Sequence, residues 1–264
     1  RQTTVHPDGA VLTVKPGNLR GADSTSLESG RASSRSNEDA LRKAAQKGNN
    51  GEIIRISLLG TNVNAVNNFG ESPTHIAAAA GHECSIRLLA KLGAEANLVA
   101  AAASAVQAVH VAAAGGHEST VRLLVTELKA DARASDGDGL TPMHHAATGG
   151  HDATIRLLVA ELGASANARD KDGLMPAHAA AHRGHDSTVR LLITDCSADP
   201  SAADNDGETC LHMACMEGHE STVRILLELG ASASAVNRDG LTPAQIAQEE
   251  GHKGILCILG SASE

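Results

Sequence analysis

Apolar residues recur through most of this chain at spacings of three and four, as Ile155, Leu158 and Leu162 do. Residues so spaced fall on one side of an α-helix, which predicts short helices that each bury one face. A shorter, Ala-rich stretch precedes each of these segments, and a Gly-His pair separates the two. The pattern therefore predicts pairs of short antiparallel helices, each followed by a projecting hairpin.

The helix pair repeats along the chain with a period of 33 to 35 residues. A segment reading GLTPMHHAATGGHDATIRLLVAELGASANARDKD begins at Gly139, and similar segments begin at Gly173 and Gly207. About seven units can be recognised. They begin near Asn37, Gly70, Ala105, Gly139, Gly173, Gly207 and Gly240. We therefore expect one repeat domain over residues 37–264, preceded by an arm over residues 1–36.

The unit resembles the ankyrin repeat, whose core reads T-P-L-H-x-A-A-x-x-G-H. The first half of that core is matched at Ser72-Pro73-Thr74-His75, Thr141-Pro142-Met143-His144, Met175-Pro176-Ala177-His178 and Thr242-Pro243. The Gly-His pair recurs at His82, His117, His151, His185, His219 and His252. A period near 34 also fits tetratricopeptide repeats, but their Trp, Leu-Gly and Tyr signature is missing. The resemblance implies an all-α solenoid of stacked helix-turn-helix units with short hairpin loops.

Proline and glycine mark the ends of the predicted helices. Proline suits the first helical position, and glycine suits a helix end that needs a positive φ. Such glycines are Gly60, Gly93, Gly163 and Gly230. Asp-Gly pairs at 138–139, 172–173, 206–207 and 239–240 predict tight turns. The sequence departs from the repeat pattern in two places. An apolar loop covers residues 98–108. The second helix of units 3, 4 and 5 has one extra residue, which predicts a π-bulge or a longer helix.

An acidic residue and an arginine recur four positions apart on the second helices. The pairs are Glu83/Arg87, Glu118/Arg122, Asp152/Arg156, Asp186/Arg190 and Glu220/Arg224. Such a pair stabilises a helix by roughly 0.2–0.5 kcal/mol, and the leading acid also favours the helix N-terminus. We interpret these residues as a solvated outer face. The alternative is an arginine ladder for an anionic partner.

The ends of the chain differ from the central units. The first unit, SNEDALRKAAQKGNN, is polar and the last is shortened, so both are interpreted as caps. Residues 1–36 are rich in Ser, Gly and Thr and lack helical periodicity, which predicts an extended, disordered-type arm. Within the arm, GAVLTVKPG predicts one short strand, and Val11, Leu12 and Val14 are expected to contact a partner by strand addition or in a groove. The alternative is that the arm lies on its own repeats.

The composition indicates what kind of hydrophobic core the chain can form and which class of partner it can bind. The chain has no Trp and no Tyr, and Phe69 is its only aromatic residue, so the core must consist of many small aliphatic contacts. The net charge of −9 argues against nucleic acid as a partner, because nucleic-acid binding needs a basic surface. The charge is uneven, with a net of +2 on residues 1–36 and −11 on the remainder.

Five cysteines, an odd number without CxxC spacing, predict neither a disulfide framework nor a zinc site. Cys84, Cys210, Cys215 and Cys257 fall on predicted helices and are interpreted as small core residues. No N-x-S/T sequence occurs, and we expect an intracellular, reducing compartment: the cytoplasm, or an organelle interior if an upstream targeting segment was removed. The apolar run 98–114 is broken by polar residues, and no direct membrane insertion is expected.

Fourteen histidines invite a metal or catalytic interpretation, but eleven of them occupy the two fixed positions of the repeat. The resemblance implies that those eleven make hydrogen bonds within and between units. His178, His182 and His185 could share a helix face, yet no Asp or Glu completes a zinc-binding set. Asp204–Gly207 looks like part of a calcium loop, but Ala and Met occupy its first and twelfth ligand positions. We expect no metal, no cofactor and no enzymatic activity.

The resemblance implies a partner surface on the concave side of the stack, formed by hairpin tips and first helices. Carried over to this sequence, the tip residues are Asn67, Asn68, Asp136, Arg169, Asp170, Lys171, Asp204, Asn205, Asn237 and Arg238. The exposed ends of the first helices add His182, Arg183, Met216 and Glu217, and Phe69 is the one aromatic anchor. For each single residue the alternative is plain solvation.

Three functions fit these predictions, and all involve one or more protein partners. The first is a non-catalytic interaction scaffold that serves as an accessory or structural subunit of a larger assembly. The second is a free-standing adaptor or inhibitor that binds a peptide or protein on its concave face. The third is a regulatory segment of a larger enzyme or channel. Fold alone does not choose between them.

Overall fold

The computed structural model describes residues 24–99 and 105–261, with side chains for residues 34–99 and 105–260. Fourteen helices lie in these residues. In chain order they are α1 Ser24–Gln46, α2 Asn50–Ser57, α3 Pro73–Ala79, α4 Glu83–Lys91, α5 Ala108–Ala114, α6 Glu118–Thr126, α7 Pro142–Thr148, α8 Asp152–Ala160, α9 Pro176–His182, α10 Asp186–Thr194, α11 Cys210–Met216, α12 Glu220–Glu228, α13 Pro243–Glu249 and α14 Lys253–Ser261. These ranges contain no strand, only one isolated bridge between Ala203 and Thr209.

The first helix, α1, starts before the predicted repeat domain. Residues 24–36, which show no helical periodicity in the sequence, form its N-terminal part, and a compact unit begins at Asn37. The predicted strand, with Val11, Leu12 and Val14, lies outside the described residues. Residues 100–104 of the apolar loop lie outside them as well.

The helices of the repeat domain stack in two layers. From α3 onward each odd-numbered helix packs on the next odd-numbered one, and each even-numbered helix packs on the next even-numbered one. The two helices of a unit also pack on each other. This arrangement confirms the all-α solenoid of helix-turn-helix units. The positive φ angles predicted for the helix-end glycines are confirmed too, with values from 64° to 93°, and the glycines of the four Asp-Gly turns have φ angles from 77° to 88°.

Two kinds of apolar contact hold the layers together. Paired alanines on the odd-numbered helices are fully buried, as Ala146 and Ala147 are. Their small side chains let neighbouring helices approach closely. On the even-numbered helices larger residues are fully buried, as Ile155 and Leu158 are. The result is one continuous core of small and branched aliphatic side chains.

Histidines on the odd-numbered helices join each unit to the next. His144 is typical: its Nδ1 accepts the Thr141 backbone N–H (3.1 Å), and its Nε2 donates to the Leu174 carbonyl (3.1 Å). The same two bonds are made by His75, His110, His178 and His212. All five rings are buried, and burial lowers the pKa of each imidazole against the opposing effect of the bonded carbonyl.

Histidines of the Gly-His pairs connect in the opposite direction. His151 donates from Nε2 to the Ala114 carbonyl of the preceding unit (2.8 Å). Equivalent bonds are made by His82, His117, His185, His219 and His252. The structure therefore confirms that all eleven repeat histidines make hydrogen bonds within and between units.

The extra residue of units 3, 4 and 5 lies beyond the second helix. The helices α6, α8 and α10 span nine residues, as α4 and α12 do, so the alternative of a longer helix is wrong. The extra residue is taken up instead by a π-type turn at the helix end. In unit 3 the N–H of Leu128 bonds to the Leu123 carbonyl five residues back (3.2 Å), and Lys129 adopts a φ of 61°. A wider turn after an unchanged helix keeps the buried face in register with its neighbours.

The ion pairs of the second helices differ from those predicted. Of the five predicted pairs, only Glu118–Arg122 (3.2 Å) forms in the described residues. Four arginines, including Arg122, pair with an acid at the end of the next second helix. These pairs are Arg87–Glu127, Arg122–Glu161, Arg156–Asp195 and Arg190–Glu228. Periodicity within one helix could not show that the next unit places a carboxylate within reach of the guanidinium.

Second helices that begin with Asp bind a buried threonine hydroxyl of the next unit, whereas a second helix that begins with Glu leaves it without a partner. The carboxylate of Asp152 accepts a hydrogen bond from Thr188 of the next unit (2.5 Å), and Asp186 accepts one from Thr222 (2.6 Å). Glu118 has the corresponding position before Thr154. The Thr154 hydroxyl is buried and has no partner among the described residues. The longer side chain evidently fails to present its carboxylate to the threonine.

We expect Glu118→Asp to raise the free energy of unfolding by about 0.5–1.5 kcal/mol, because it gives the Thr154 hydroxyl an acceptor. Loss of the exposed Glu118–Arg122 pair offsets little of this. Urea unfolding followed by circular dichroism measures the change. The matched reverse variant, Asp152→Glu, is expected to lose a similar amount. Equal stability of both variants and the parent would contradict the assignment.

The first unit, interpreted from the sequence as a polar cap, also exposes apolar side chains. Ile54, Leu58 and Leu59, in and just after α2, are 44%, 81% and 60% exposed. Ile54 and Leu58 are four residues apart, so they lie on the same side of the helix. Buried residues of the same helix, Ile53 and Ile56, face the core. One end of the repeat domain therefore carries apolar side chains open to solvent.

Candidate protein-binding surface

The hairpins and the odd-numbered helices together form one surface of the repeat domain, called the hairpin face below. At five of the hairpins one side-chain oxygen accepts the backbone N–H groups two and four residues ahead, at 2.8–3.1 Å. These residues are Asn67, Asp136, Asp170, Asp204 and Asn237. All five are among the predicted partner-binding residues. The structure gives them a clear internal role, which is to fix the shape of the hairpin.

Asp136 differs from its equivalents because it is buried. Its second oxygen accepts a hydrogen bond from Nε2 of His145 (3.0 Å). Burial raises the pKa of the Asp136 carboxyl, but the bonds from His145 and from the Asp138 and Leu140 amides outweigh burial and lower it. The carboxylate is therefore charged and fully occupied within the chain.

Most other predicted tip residues connect one hairpin to the next. The backbone N–H groups of Lys171, Asn205 and Arg238 donate to carbonyls of the preceding hairpin at 3.1, 2.9 and 2.8 Å. Arg169 donates to the carbonyls of Gly173 and Ala203, both at 2.8 Å. Asn68 is exposed and stands outside these links. The last four hairpins are thus a connected row with fixed spacing.

Four aspartates remain exposed along that row: Asp138, Asp172, Asp206 and Asp239. They are the aspartates of the four Asp-Gly turns, and we call them the acidic edge. Asp206 pairs with Arg238 (3.0 Å). These aspartates were predicted only as turn residues and not as part of the partner surface. Their recurrence at equivalent positions was the available signal.

A groove of about 430 Å³ opens between α9 and α11 on the hairpin face. Its apolar lining includes Leu174, Ala179, Met213 and Met216, and its polar lining includes Thr148, His178, His182, Arg183 and Glu208. The predicted residues His182, Arg183 and Met216 therefore lie together. Glu217 accompanies them, since its carboxylate is 3.3 Å from Nε2 of His182.

Glu208 is the acid of this groove that sequence reasoning missed. It is half-buried, and it accepts a long hydrogen bond from Asn237 (3.4 Å). Burial raises the pKa of the Glu208 carboxyl, and the nearby carboxylates of Asp204, Asp206 and Asp239 raise it further. The site therefore has a negative potential at its hairpin end.

Phe69 borders a second groove on the same face, of about 260 Å³. The Phe69 side chain is 76% exposed, and Val106 and Val111 supply apolar lining on the adjoining unit. The predicted aromatic anchor is thus open to solvent on the predicted face.

The cysteines offer no reactive thiolate in the core. Burial raises the pKa of both Cys210 and Cys215 to about 12, so both thiols stay protonated near neutral pH. Cys84 and Cys257 are exposed, so their interpretation as core residues is wrong. Among the described residues no group of three His, Cys, Asp or Glu side chains is placed to hold a metal ion.

Comparison with known proteins agrees with this architecture. The family model described as Ankyrin repeats (3 copies) matches residues 41–136, 92–170, 109–204 and 177–263. No curated protein matches the chain significantly. Within the described residues no helix is both long enough and apolar enough to cross a membrane. Because the matches extend over most of the sequence, the chain belongs to the ankyrin repeat family, whose repeats imply protein–protein interaction.

Proposed function

We propose that this protein is a non-catalytic scaffold that binds another protein on its hairpin face. The observation that supports this most is the pair of apolar-lined grooves on that face, one beside Phe69 and one between α9 and α11. Exposed apolar surface of this kind, bordered by polar groups, is typical of protein-binding sites. The hairpin links support the proposal further, because a rigid surface loses little entropy on binding.

Site-specific photo-crosslinking tests this proposal. A photoreactive residue is introduced at Glu217 on the hairpin face or, as the matched control, at Glu228 at the end of α12. We expect crosslinks to a protein partner in source-cell extract from position 217 and far fewer from position 228. Equal yields from both positions, or none from either, would contradict binding on the hairpin face.

A second observation favours the finer role of accessory subunit in a larger assembly. The exposed Ile54, Leu58 and Leu59 lie on the first unit, apart from the grooves, and offer a second apolar contact. A free-standing adaptor or inhibitor needs the hairpin face alone. A subunit that contacts two neighbours needs both surfaces.

Native size fractionation of source-cell extract separates these two roles. A subunit is expected to migrate with a large assembly, and the double variant Leu58→Ser/Leu59→Ser is expected to leave it, because two exposed apolar contacts are lost. The matched control, Leu92→Ser, changes a less exposed leucine of the next unit. Migration of the parent chain near its own 26.9 kDa would favour the adaptor.

A reducing, intracellular compartment remains our proposal for the location. Its support is that all five cysteines are free thiols, including the exposed Cys84 and Cys257.

A further inference from the structure

The groove between α9 and α11 has different chemistry at its two ends. Glu208 lies at the hairpin end, just before α11, and Arg183 lies just after the last residue of α9. Between them the lining is formed by side chains such as Met213 and Met216. A ligand that fills this groove therefore meets a carboxylate, then thioether and aliphatic groups, then a guanidinium.

The middle of the groove suits one large apolar side chain. Met213 is almost fully buried and forms the floor, while Met216 is half-buried at the rim. Methionine is flexible and polarisable, so it adapts to different apolar shapes. The groove volume of about 430 Å³ leaves room for a side chain with its adjoining backbone.

The hairpin end of the groove suits a cation. Glu208 shares that end with Asp204 and Asp206, and Asp239 of the acidic edge follows on the next hairpin. The basic side chains nearby are already engaged: Arg169 donates to the Gly173 and Ala203 carbonyls, Lys171 donates to the Gly137 carbonyl, and Arg238 pairs with Asp206. Arg183, the remaining cation of the lining, stands at the opposite end.

We infer that this groove binds a segment of a partner protein in which a large apolar residue is flanked on one side by Lys or Arg. The apolar side chain enters between Met213 and Met216, and the basic side chain pairs with Glu208 beside the acidic edge. The inference rests on the proposed function and specifies the partner's chemistry. Charge complementarity of this type gives orientation and faster association as well as affinity.

Selection of random 12-residue displayed peptides on the full-length chain tests the inference and does not require the partner itself. We expect enriched peptides to carry Lys or Arg beside Leu, Met, Ile or Phe. An enriched peptide is then labelled and its Kd measured by fluorescence anisotropy. Raising the NaCl concentration from about 50 to 200 mM is expected to weaken binding, because salt screens the carboxylates.

Two substitutions in the groove and two matched substitutions outside it complete the test. Met216→Ser is expected to raise the Kd about tenfold and Glu208→Gln about fivefold. The controls Leu92→Ser and Glu95→Gln alter a leucine and an exposed glutamate away from the groove. They are expected to change the Kd less than about twofold.

The outcomes distinguish the inference from the proposed function. If the enriched peptides lack basic residues but bind the Met216→Ser variant more weakly than the parent, the inference is overturned and the proposed function stands. Peptides unaffected by any substitution on the hairpin face overturn both. If no peptide is enriched, the inference is overturned. The proposed function is then tested separately by crosslinking from position 217. A dimer in sedimentation that Met216→Ser abolishes overturns the inference too, because the occupant is then a second copy.

Discussion

Lowering the pH from about 7 to 5 is expected to destabilise the repeat domain. The five buried histidines of the odd-numbered helices are held neutral, since burial lowers the pKa of each below that of an exposed imidazole. The unfolded chain therefore binds more protons than the folded chain once the pH falls below about 6.5, and stability falls with pH from that point downward.

The expected size of the effect follows from the number of groups. One proton taken up only by the unfolded state costs about 1.4 kcal/mol of stability per pH unit, so five approach about 7 kcal/mol per pH unit at most. Typical domains have about 5–15 kcal/mol of stability in total. In addition, protonation of Nδ1 would break a hydrogen bond. In the folded protein the Thr141 backbone N–H donates to Nδ1 of His144 (3.1 Å), and a protonated Nδ1 can no longer accept it.

Circular dichroism at a series of pH values, combined with urea unfolding, measures this dependence. The slope of stability against pH below 6.5 gives the number of protons taken up on unfolding. We expect several. A slope below one proton, or a stability that stays constant from pH 7 to pH 5, would show that the buried imidazoles do not control acid stability.

Replacement of one buried histidine, His144→Ala, is expected to cost about 3–5 kcal/mol. The ring accepts from the Thr141 backbone N–H (3.1 Å), contacts the Thr141 hydroxyl (2.9 Å) and donates to the Leu174 carbonyl (3.1 Å). Alanine leaves these groups buried without partners and leaves a cavity as well. Urea unfolding measures the loss.

The chain itself suggests the matched conservative variant. At the equivalent position of the last unit, Gln245 accepts the Thr242 backbone N–H through its side-chain oxygen (2.8 Å). His144→Gln is therefore expected to cost about 1–2 kcal/mol and to remove about one proton from the acid transition. His182→Ala serves as the control, because this half-exposed histidine of the next odd-numbered helix makes only a surface contact with Glu217 (3.3 Å). A His144→Ala variant as stable as the control would refute the role assigned to the ring.

The repeat architecture could be predicted because its signals are local and recur. Proline at helix starts, glycine at helix ends and Asp-Gly at turns each determine the conformation of a few residues, and the structure confirms them. The links between units could not be derived in this way. Arg156, for example, pairs with Asp195 of the next unit rather than with Asp152. That choice depends on how the second helices are placed side by side, which no single helix pattern contains.

The candidate surface was predicted less completely, for the same reason. The sequence places Asp136 and Asp170 at hairpin tips, but only the structure shows that their oxygens are used by the hairpin itself. Glu208 was missed because nothing in its sequence context shows that it borders a groove. Met216 was predicted at the exposed end of a first helix, and the structure places it at the rim of the groove between α9 and α11.

The aliphatic core has a practical consequence for spectroscopy. Without Trp or Tyr the protein has almost no absorbance at 280 nm and no indole emission. Any tryptophan fluorescence in a complex therefore comes from the partner alone, and a titration needs no correction for the scaffold. The exposed Phe69 is also a convenient place for a single reporter, since Phe69→Trp would add one emitting ring beside a groove and nowhere else.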